Sequence, residues 1–497
     1  MRLNKDIRIM LNIIGREYEI AELQRLKESK SPELVAVYGR RRVGKTFLVR
    51  EFFKNQFAFY HTGVSPLEVS GRHLVKRQLE EFFVSLRDYG LNDAVCPASW
   101  PEAFRLLRRL LEQFPADGKH VVFLDELPWM DTPKSNFLAA FTYFWNTWGS
   151  TRDGLKLVVC GSATSWMLDK VVGDKGGLYG RSSRSVYLSP FNLSEVETFL
   201  RQRKGIVWNR YQILEAYMIM GGIPYYLDML EKGVPFTQNI DNLFFREGAP
   251  LRTEDDFLFR SLFKSAAIYR QVVEAVAKKN KGLTLKEIKD ELKMGDGGGL
   301  TEVLQNLCKC DFIREYSAYG KREKGSIFQL TDLFSLYYLR FIGGRTGLDV
   351  PYWANVGDSV RQSWAGYAFE QVCLHHISQI RAALGIKGVL TNVCTWASPR
   401  QTDKDGTVWP GVQIDLLLCR GDHVIDVCEM KYSKTEFVIT GNYAEHLRER
   451  NATFAHHTKT RDAIHTVLVT TYGLKHNLYS DSVYATVTMN DLFESRG

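Results

Sequence analysis

One short run limits the fold of this chain more than any other feature. Gly39-Arg40-Arg41-Arg42-Val43-Gly44-Lys45-Thr46 fits the pattern GxxxxGK[ST]. It follows the apolar run Leu34-Val35-Ala36-Val37-Tyr38 and opens a helical pattern over residues 47–54. A strand, a glycine-flanked loop and a helix together make a phosphate cradle. The glycines let backbone N–H groups curl around phosphate oxygens, and the helix N-terminus adds partial positive charge. In that reading Gly39, Arg40, Arg41, Arg42, Val43, Gly44, Lys45 and Thr46 wrap a nucleotide. Lys45 reaches the β- and γ-phosphates, and the Thr46 hydroxyl holds Mg²⁺.

A cradle that hydrolyses its nucleotide also needs an acidic strand tip. His120-Val121-Val122-Phe123-Leu124 ends in Asp125-Glu126. Asp125 is expected to hold Mg²⁺ through its water shell, and Glu126 to polarise the attacking water as general base. The strand over residues 157–161 ends in Ser162, which either faces the γ-phosphate or caps a helix. Arg181 and Arg184 precede another strand. Arg181 is the candidate to reach the transferring phosphoryl group, the alternative being a surface loop that pairs with acids. Gly15-Arg16-Glu17 either cradles a nucleobase or caps the helix that follows. No NKxD-like base-reading motif accompanies the loop, so ATP is expected rather than GTP.

Apolar runs at 34–38, 57–62, 120–125, 155–161 and 185–188 alternate with amphipathic stretches, which predicts a parallel sheet with crossover helices over 1–200. Residues 201–345 are mostly helical in pattern. Within them, three helices lead into two extended runs around the basic turn 320–325, a winged-helix plan. Lys278, Lys279, Lys281, Lys286, Lys289 and Lys293 cluster on the first two helices of this module and Lys321, Arg322 and Lys324 on its basic turn, where such residues either contact phosphates or form a solvated face. A third domain over 350–497 opens with a helix at 360–384 and continues in strands.

These elements together resemble a known family. Ile14-Gly15-Arg16-Glu17, the loop at 39–46, Leu124-Asp125-Glu126-Leu127-Pro128-Trp129, Gly161-Ser162-Ala163-Thr164-Ser165-Trp166-Met167, Tyr179-Gly180-Arg181 and Gly221-Gly222-Ile223-Pro224-Tyr225-Tyr226 carry the likeness. They resemble the archaeal-type ATPase family of STAND-like P-loop proteins. The resemblance spans residues 14–230 and implies an α/β, AAA+-related ASCE core that binds ATP and Mg²⁺. Members of such a family typically continue into a winged helix and a nuclease-like C-terminal domain.

Nuclease chemistry needs acids around a divalent ion and a lysine near the attacking water. Asp415 lies in the apolar run 412–418, and Val424-Ile425-Asp426-Val427-Cys428-Glu429-Met430-Lys431 follows after a short turn. Glu429 and Lys431 are two apart, so they share a face. If Arg420 pairs with Val424, Asp415 falls opposite Glu429. Glu370 is an acid on an otherwise apolar helix, costly there without a partner. Glu370, Asp415 and Glu429-x-Lys431 resemble the restriction-endonuclease-like PD-(D/E)XK superfamily, although Ile414 stands where proline is usual. That resemblance implies Glu370, Asp415 and Glu429 as metal ligands, with Lys431 catalytic beside Glu429. The alternative is a domain that keeps its acids and binds DNA or a protein partner without cutting.

The net charge, 65 − 57 = +8, permits a nucleic-acid partner without requiring one. No signal sequence or membrane span is visible, and the 8 scattered cysteines read as small buried hydrophobes of a reducing, cytoplasmic protein. A protein partner or a homo-oligomer is compatible with this reading. His375-His376 and His456-His457 read as core or solvated residues rather than metal ligands, because adjacent side chains point apart.

Overall fold

The structure is a computed structural model. It describes residues 12–66, 73–115, 118–162, 165–172, 184–263, 265–295, 299–316, 319–320, 326–345 and 351–495. The chain divides into two compact units, residues 1–190 with 260–264, and residues 191–259 with 265–497.

The first unit is built on five strands, β1 (Glu33–Gly39), β2 (Phe59–Thr62), β3 (His120–Asp125), β4 (Leu155–Ser162) and β5 (Arg184–Leu188). Their order is β2-β3-β4-β1-β5, and every pairing is parallel. A parallel sheet is covered on both faces, so its central strands are apolar without alternation. All of β4 is buried. The Trp100–Leu111 helix shows the complementary period, burying Trp100, Ala103, Phe104, Leu107, Leu110 and Leu111. Its face meets Phe82, Phe137 and Phe141, with Trp100 and Phe137 ring centroids 4.7 Å apart at 77°. The aromatic run expected as core packs here, through the Phe137–Thr147 helix.

The second unit begins with helices that carry their own start signals. Asn192 with Glu195, and Asn209 with Gln212, form capping boxes. Gly221 ends the Arg210–Met220 helix in the left-handed region. A Cβ at Gly222 would lie 2.1 Å from the Phe191 carbonyl oxygen, so only glycine fits. Pro224 then starts the next helix.

Further along lie a helix (Ala266–Ala277), β6 (Leu283–Thr284), a helix (Leu285–Leu292), a helix (Gly299–Lys309), β7 (Ile313–Tyr316) and β8 (Ile327–Leu330). The strands form an antiparallel sheet in the order β6-β8-β7. The basic turn residues 321–325 lie outside the described residues.

The rest of this unit holds β9 (Thr391–Ser398), the small pair β10 (Gln401–Thr402) and β11 (Val408–Trp409), β12 (Val412–Arg420), β13 (Val424–Lys431), β14 (Ala463–Thr470) and β15 (Ala485–Thr488). The main sheet runs β15-β14-β13-β12-β9, with β13 parallel to β14 and antiparallel to β12. One expectation differs. The helix predicted over 360–384 is two helices, Asp358–His375 and Ile377–Ala383. His376 is fully buried, and its Nδ1–H donates to the Val372 carbonyl at 2.7 Å while Nε2 accepts from the Leu193 N–H at 3.0 Å. The ring thereby engages the carbonyl that would continue the helix, and the His376 N–H bonds Cys373 instead.

Candidate functional site

The loop 39–46 leaves the carboxyl end of β1 between β4 and β5. Ligands of open parallel sheets bind at that end. A Cβ at Gly39 would meet the Leu188 carbonyl oxygen at 2.2 Å, so the close approach of β5 requires glycine. Gly44 has φ +91° and opens the Lys45–Phe52 helix with its N–H groups facing outward from the turn. Lys45 is buried, and its Nζ donates to the carbonyls of Gly39 at 3.2 Å and Arg40 at 2.9 Å. These bonds arch the lysine over the loop. Arg41 lies over the Trp129 ring at 5.7 Å.

The Thr46 hydroxyl donates to Asp125 Oδ2 at 2.8 Å. The Glu126 N–H donates to Asp125 Oδ1 at 2.9 Å, fixing both oxygens of the carboxylate. Glu126 has φ +46°, a left-handed conformation that costs a non-glycine residue energy and recurs at functional positions. Burial raises the Glu126 carboxyl above its ordinary range; Lys45 opposes that rise and Asp125 adds to it. Ser162 is paired in register with Gly39 and is buried, which sets it beside the start of the loop. Thr62 is paired with Asp125, and its hydroxyl donates to the Tyr60 phenol at 2.7 Å. Sequence reasoning did not single out Thr62, although two polar side chains closing an apolar strand beside an acidic strand tip are a usable signal.

Arg16 caps the Glu17–Glu28 helix in the left-handed region and is buried, and its Nη2 donates to the Val43 carbonyl at 3.4 Å. The upstream Gly-Arg-Glu element therefore braces the loop itself. Arg184 pairs with Glu22 at 2.7 Å, the acid-pairing alternative for that residue. Arg181 lies outside the described residues, as do Ala163 and Thr164.

In the second unit the β12–β13 ladder pairs Leu416 with Cys428 and Cys419 with Ile425. One step further along the same register places Asp415 across from Glu429. Asp415 and Glu370 line one cavity of about 480 Å³. Burial, then the adjacent Asp415, pushes the Glu370 carboxyl up to about 8. Burial likewise raises Asp415, opposed by a hydrogen bond from Gln413. Glu429 behaves differently. Burial favours its neutral form, but Arg450, then Lys431 at 2.7 Å and the Tyr443 hydroxyl at 2.8 Å, outweigh that and hold it below the ordinary carboxylate range.

Glu429 is thus turned toward these donors, and among the described residues no three acidic, histidine or cysteine side chains converge as an ion-holding group. Arg450 and Tyr443 were missed from sequence. Both lie on the Gly441–Thr458 helix with Leu447 and Phe454 at helical spacing, and an arginine on a buried stripe is the available signal. His456 stacks on Trp409 at 4.1 Å and pairs with Asp403 at 2.9 Å.

A parallel sheet with a GxxxxGKT loop at its carboxyl edge, a threonine–aspartate contact and an adjacent glutamate defines an ATPase domain of the P-loop class. Residues 13–230 match the family model described as an ATPase domain predominantly from Archaea. A protein of Methanocaldococcus jannaschii described as uncharacterized is 28% identical over 338 residues, 66% of this chain and 68% of that one. Among solved structures, a Walker-type ATPase of Pyrococcus abyssi aligns with TM-score 0.48 and 21% identity, over 66% of this chain and 96% of that one. The ORC2 protein of Aeropyrum pernix aligns with TM-score 0.41 and 14% identity, over 66% of this chain and 94% of that one. No helix among the described residues is long and apolar enough to cross a membrane.

Proposed function

We propose that this protein hydrolyses ATP at the loop 39–46, and that its nucleotide state controls a C-terminal carboxylate site that cleaves DNA. The observation that carries the first part is the Thr46 hydroxyl held against Asp125 beside a half-buried Glu126 in the left-handed region. Lys45 binds the β- and γ-phosphates once nucleotide replaces its two carbonyl partners. Glu126 orients and deprotonates the attacking water. A hydroxyl and a carboxylate are the oxygen donors Mg²⁺ takes, so Thr46 and Asp125 would hold the ion, which offsets phosphate charge when bound. Ser162 would sense the γ-phosphate, and Arg181 would stabilise charge on the transferring group.

For the second part, Glu370 and Asp415 crowd two carboxyls at one cavity wall, an arrangement that a divalent cation relieves. With Glu429 released from Arg450 they would hold such an ion, with Lys431 beside the attacking water. A second reading is favoured by Arg450 itself. A buried guanidinium already neutralises Glu429, and that suits a domain that binds DNA or a protein without cutting it. Plasmid nicking separates the two. In the first reading, full-length protein with Mg²⁺ or Mn²⁺ nicks plasmid, Glu370→Gln and Asp415→Asn abolish nicking and leave ATP hydrolysis, and a non-hydrolysable ATP analogue changes the nicking rate. Absence of nicking in every nucleotide state selects the second reading.

A further inference from the structure

The cavity that holds Glu370 and Asp415 has a second wall of opposite charge. Lys278, Lys279, Asn280 and Lys281 line it together with Gln413. These residues follow the Ala266–Ala277 helix, more than 85 positions before Glu370 in sequence, and the fold alone brings the two walls together. The lysine turn is built rather than loose. The Gly282 N–H bonds the Lys279 carbonyl at 2.8 Å, and Gln329 Nε2 donates to the Asn280 carbonyl at 2.7 Å. Gly282 has φ +80°, and a Cβ there would lie 2.4 Å from the Phe328 carbonyl oxygen. The turn is therefore pinned against β8.

Opposite charges facing across a cavity ordinarily pair. Here no lysine of the turn pairs with Glu370 or Asp415 among the described residues. Lys278 bonds Glu291 at 2.5 Å and Lys279 bonds Glu287 at 3.2 Å, both on the next helix. Lys281 is exposed and pairs with no carboxylate among the described residues. A lysine near a helix C-terminus is favoured by the helix dipole, which accounts for Lys278 and Lys279 but not for Lys281, beyond the turn. The cavity thus presents one lysine without a carboxylate partner among the described residues, Lys281, beside two lysines whose partners lie on the next helix, and on the other wall two carboxyls that none of these lysines pairs. A phosphate group carrying a divalent cation satisfies both. A chain of such groups also suits the exposed Lys286 and Lys293, which extend the basic surface along the neighbouring helix.

We propose that Lys278, Lys279 and Lys281 are positioning residues that grip the phosphate backbone of duplex DNA and present one phosphodiester to Glu370 and Asp415. This deepens the carboxylate-site reading and rests on it. It places the DNA contact on the turn after the first helix of the middle module. In this arrangement the lysines set affinity and register while the acids carry the chemistry.

The test uses full-length protein and a short fluorescein-labelled duplex, with anisotropy followed over a range of salt in EDTA, where no cleavage occurs. The Lys278→Gln/Lys279→Gln/Lys281→Gln variant is expected to bind at least tenfold more weakly, with a salt slope shallower by about one unit per lost contact. Lys281→Glu, which disturbs no ion pair, is expected to weaken binding on its own, and Glu291→Gln, which frees Lys278, to strengthen it. ATP hydrolysis reports folding of the first unit and a circular-dichroism melt that of the whole chain. Wild-type affinity and slope in folded triple and Lys281→Glu variants would overturn the lysine assignment, whatever the nicking assay shows. Normal lysine dependence with no nicking removes cleavage and keeps the grip. Wild-type protein that does not bind the duplex overturns both.

Discussion

At the scale of single residues, the ATPase site depends on where two acids point. Asp125 is fixed by Thr46 on one oxygen and the Glu126 N–H on the other, which leaves Glu126 free of that task. Glu126→Gln is therefore expected to keep nucleotide affinity and lower turnover about 10²- to 10⁴-fold, measured by phosphate release beside fluorescent-nucleotide binding. In the wild type the rate should rise with pH through the range set by the raised Glu126 carboxyl, because only the ionised form accepts a proton. In the second unit, Arg450→Met removes the main counter-charge of the half-buried Glu429 carboxylate. Stability should fall by about 3 kcal/mol in urea melts, since Glu429 is left with Lys431 and Tyr443. The loop, Asp125 and Glu126 were legible because each is one residue type at one fixed place after a strand. Arg450 was not, because an arginine on a helix reads as surface until its neighbours are known.

At the scale of elements, β1 and β2 make separable claims. Gly39→Ala would force β5 away from β1, where Leu188 sits 2.2 Å from the new Cβ. A loss of about 1–3 kcal/mol is expected, together with weaker nucleotide binding, checked by thermal melts with and without ATP. On β2, His61 is buried with Ser85 at 2.9 Å, and burial pushes its imidazole down to about 3. The unfolded chain titrates near 6.5, so between those values the unfolded state binds the extra proton. Stability is complete above pH 6.5 and declines as pH falls toward 3. By pH 4.5 the decline due to His61 should reach about 2–3 kcal/mol. His61→Phe, which keeps the ring beside Phe82, should flatten that limb in urea titrations, and an unchanged limb would contradict the assignment. The five strands of the first sheet were legible from apolar runs bounded by polar residues. The break at His376 was not. It depends on Leu193, far away in the chain, and a periodicity pattern has no access to such a contact.

At the scale of the whole molecule, the chain joins a first unit with a P-loop parallel sheet to a second unit holding a lysine turn and a carboxylate cavity. The β12–β13 register, Leu416 with Cys428 through Cys419 with Ile425, was legible from the length of the turn alone. That Glu370 and Asp415 share a cavity with Lys278–Lys281 was not, because helix-to-sheet packing between distant segments decides it. The proposed nucleotide control of the second unit presupposes that the first unit consumes nucleotide. Phosphate release by full-length protein with ATP and Mg²⁺, compared with Lys45→Ala, tests that most directly. The account predicts steady turnover in the wild type and none above background in the variant. Equal release from both proteins, or none from either at saturating ATP, would contradict it.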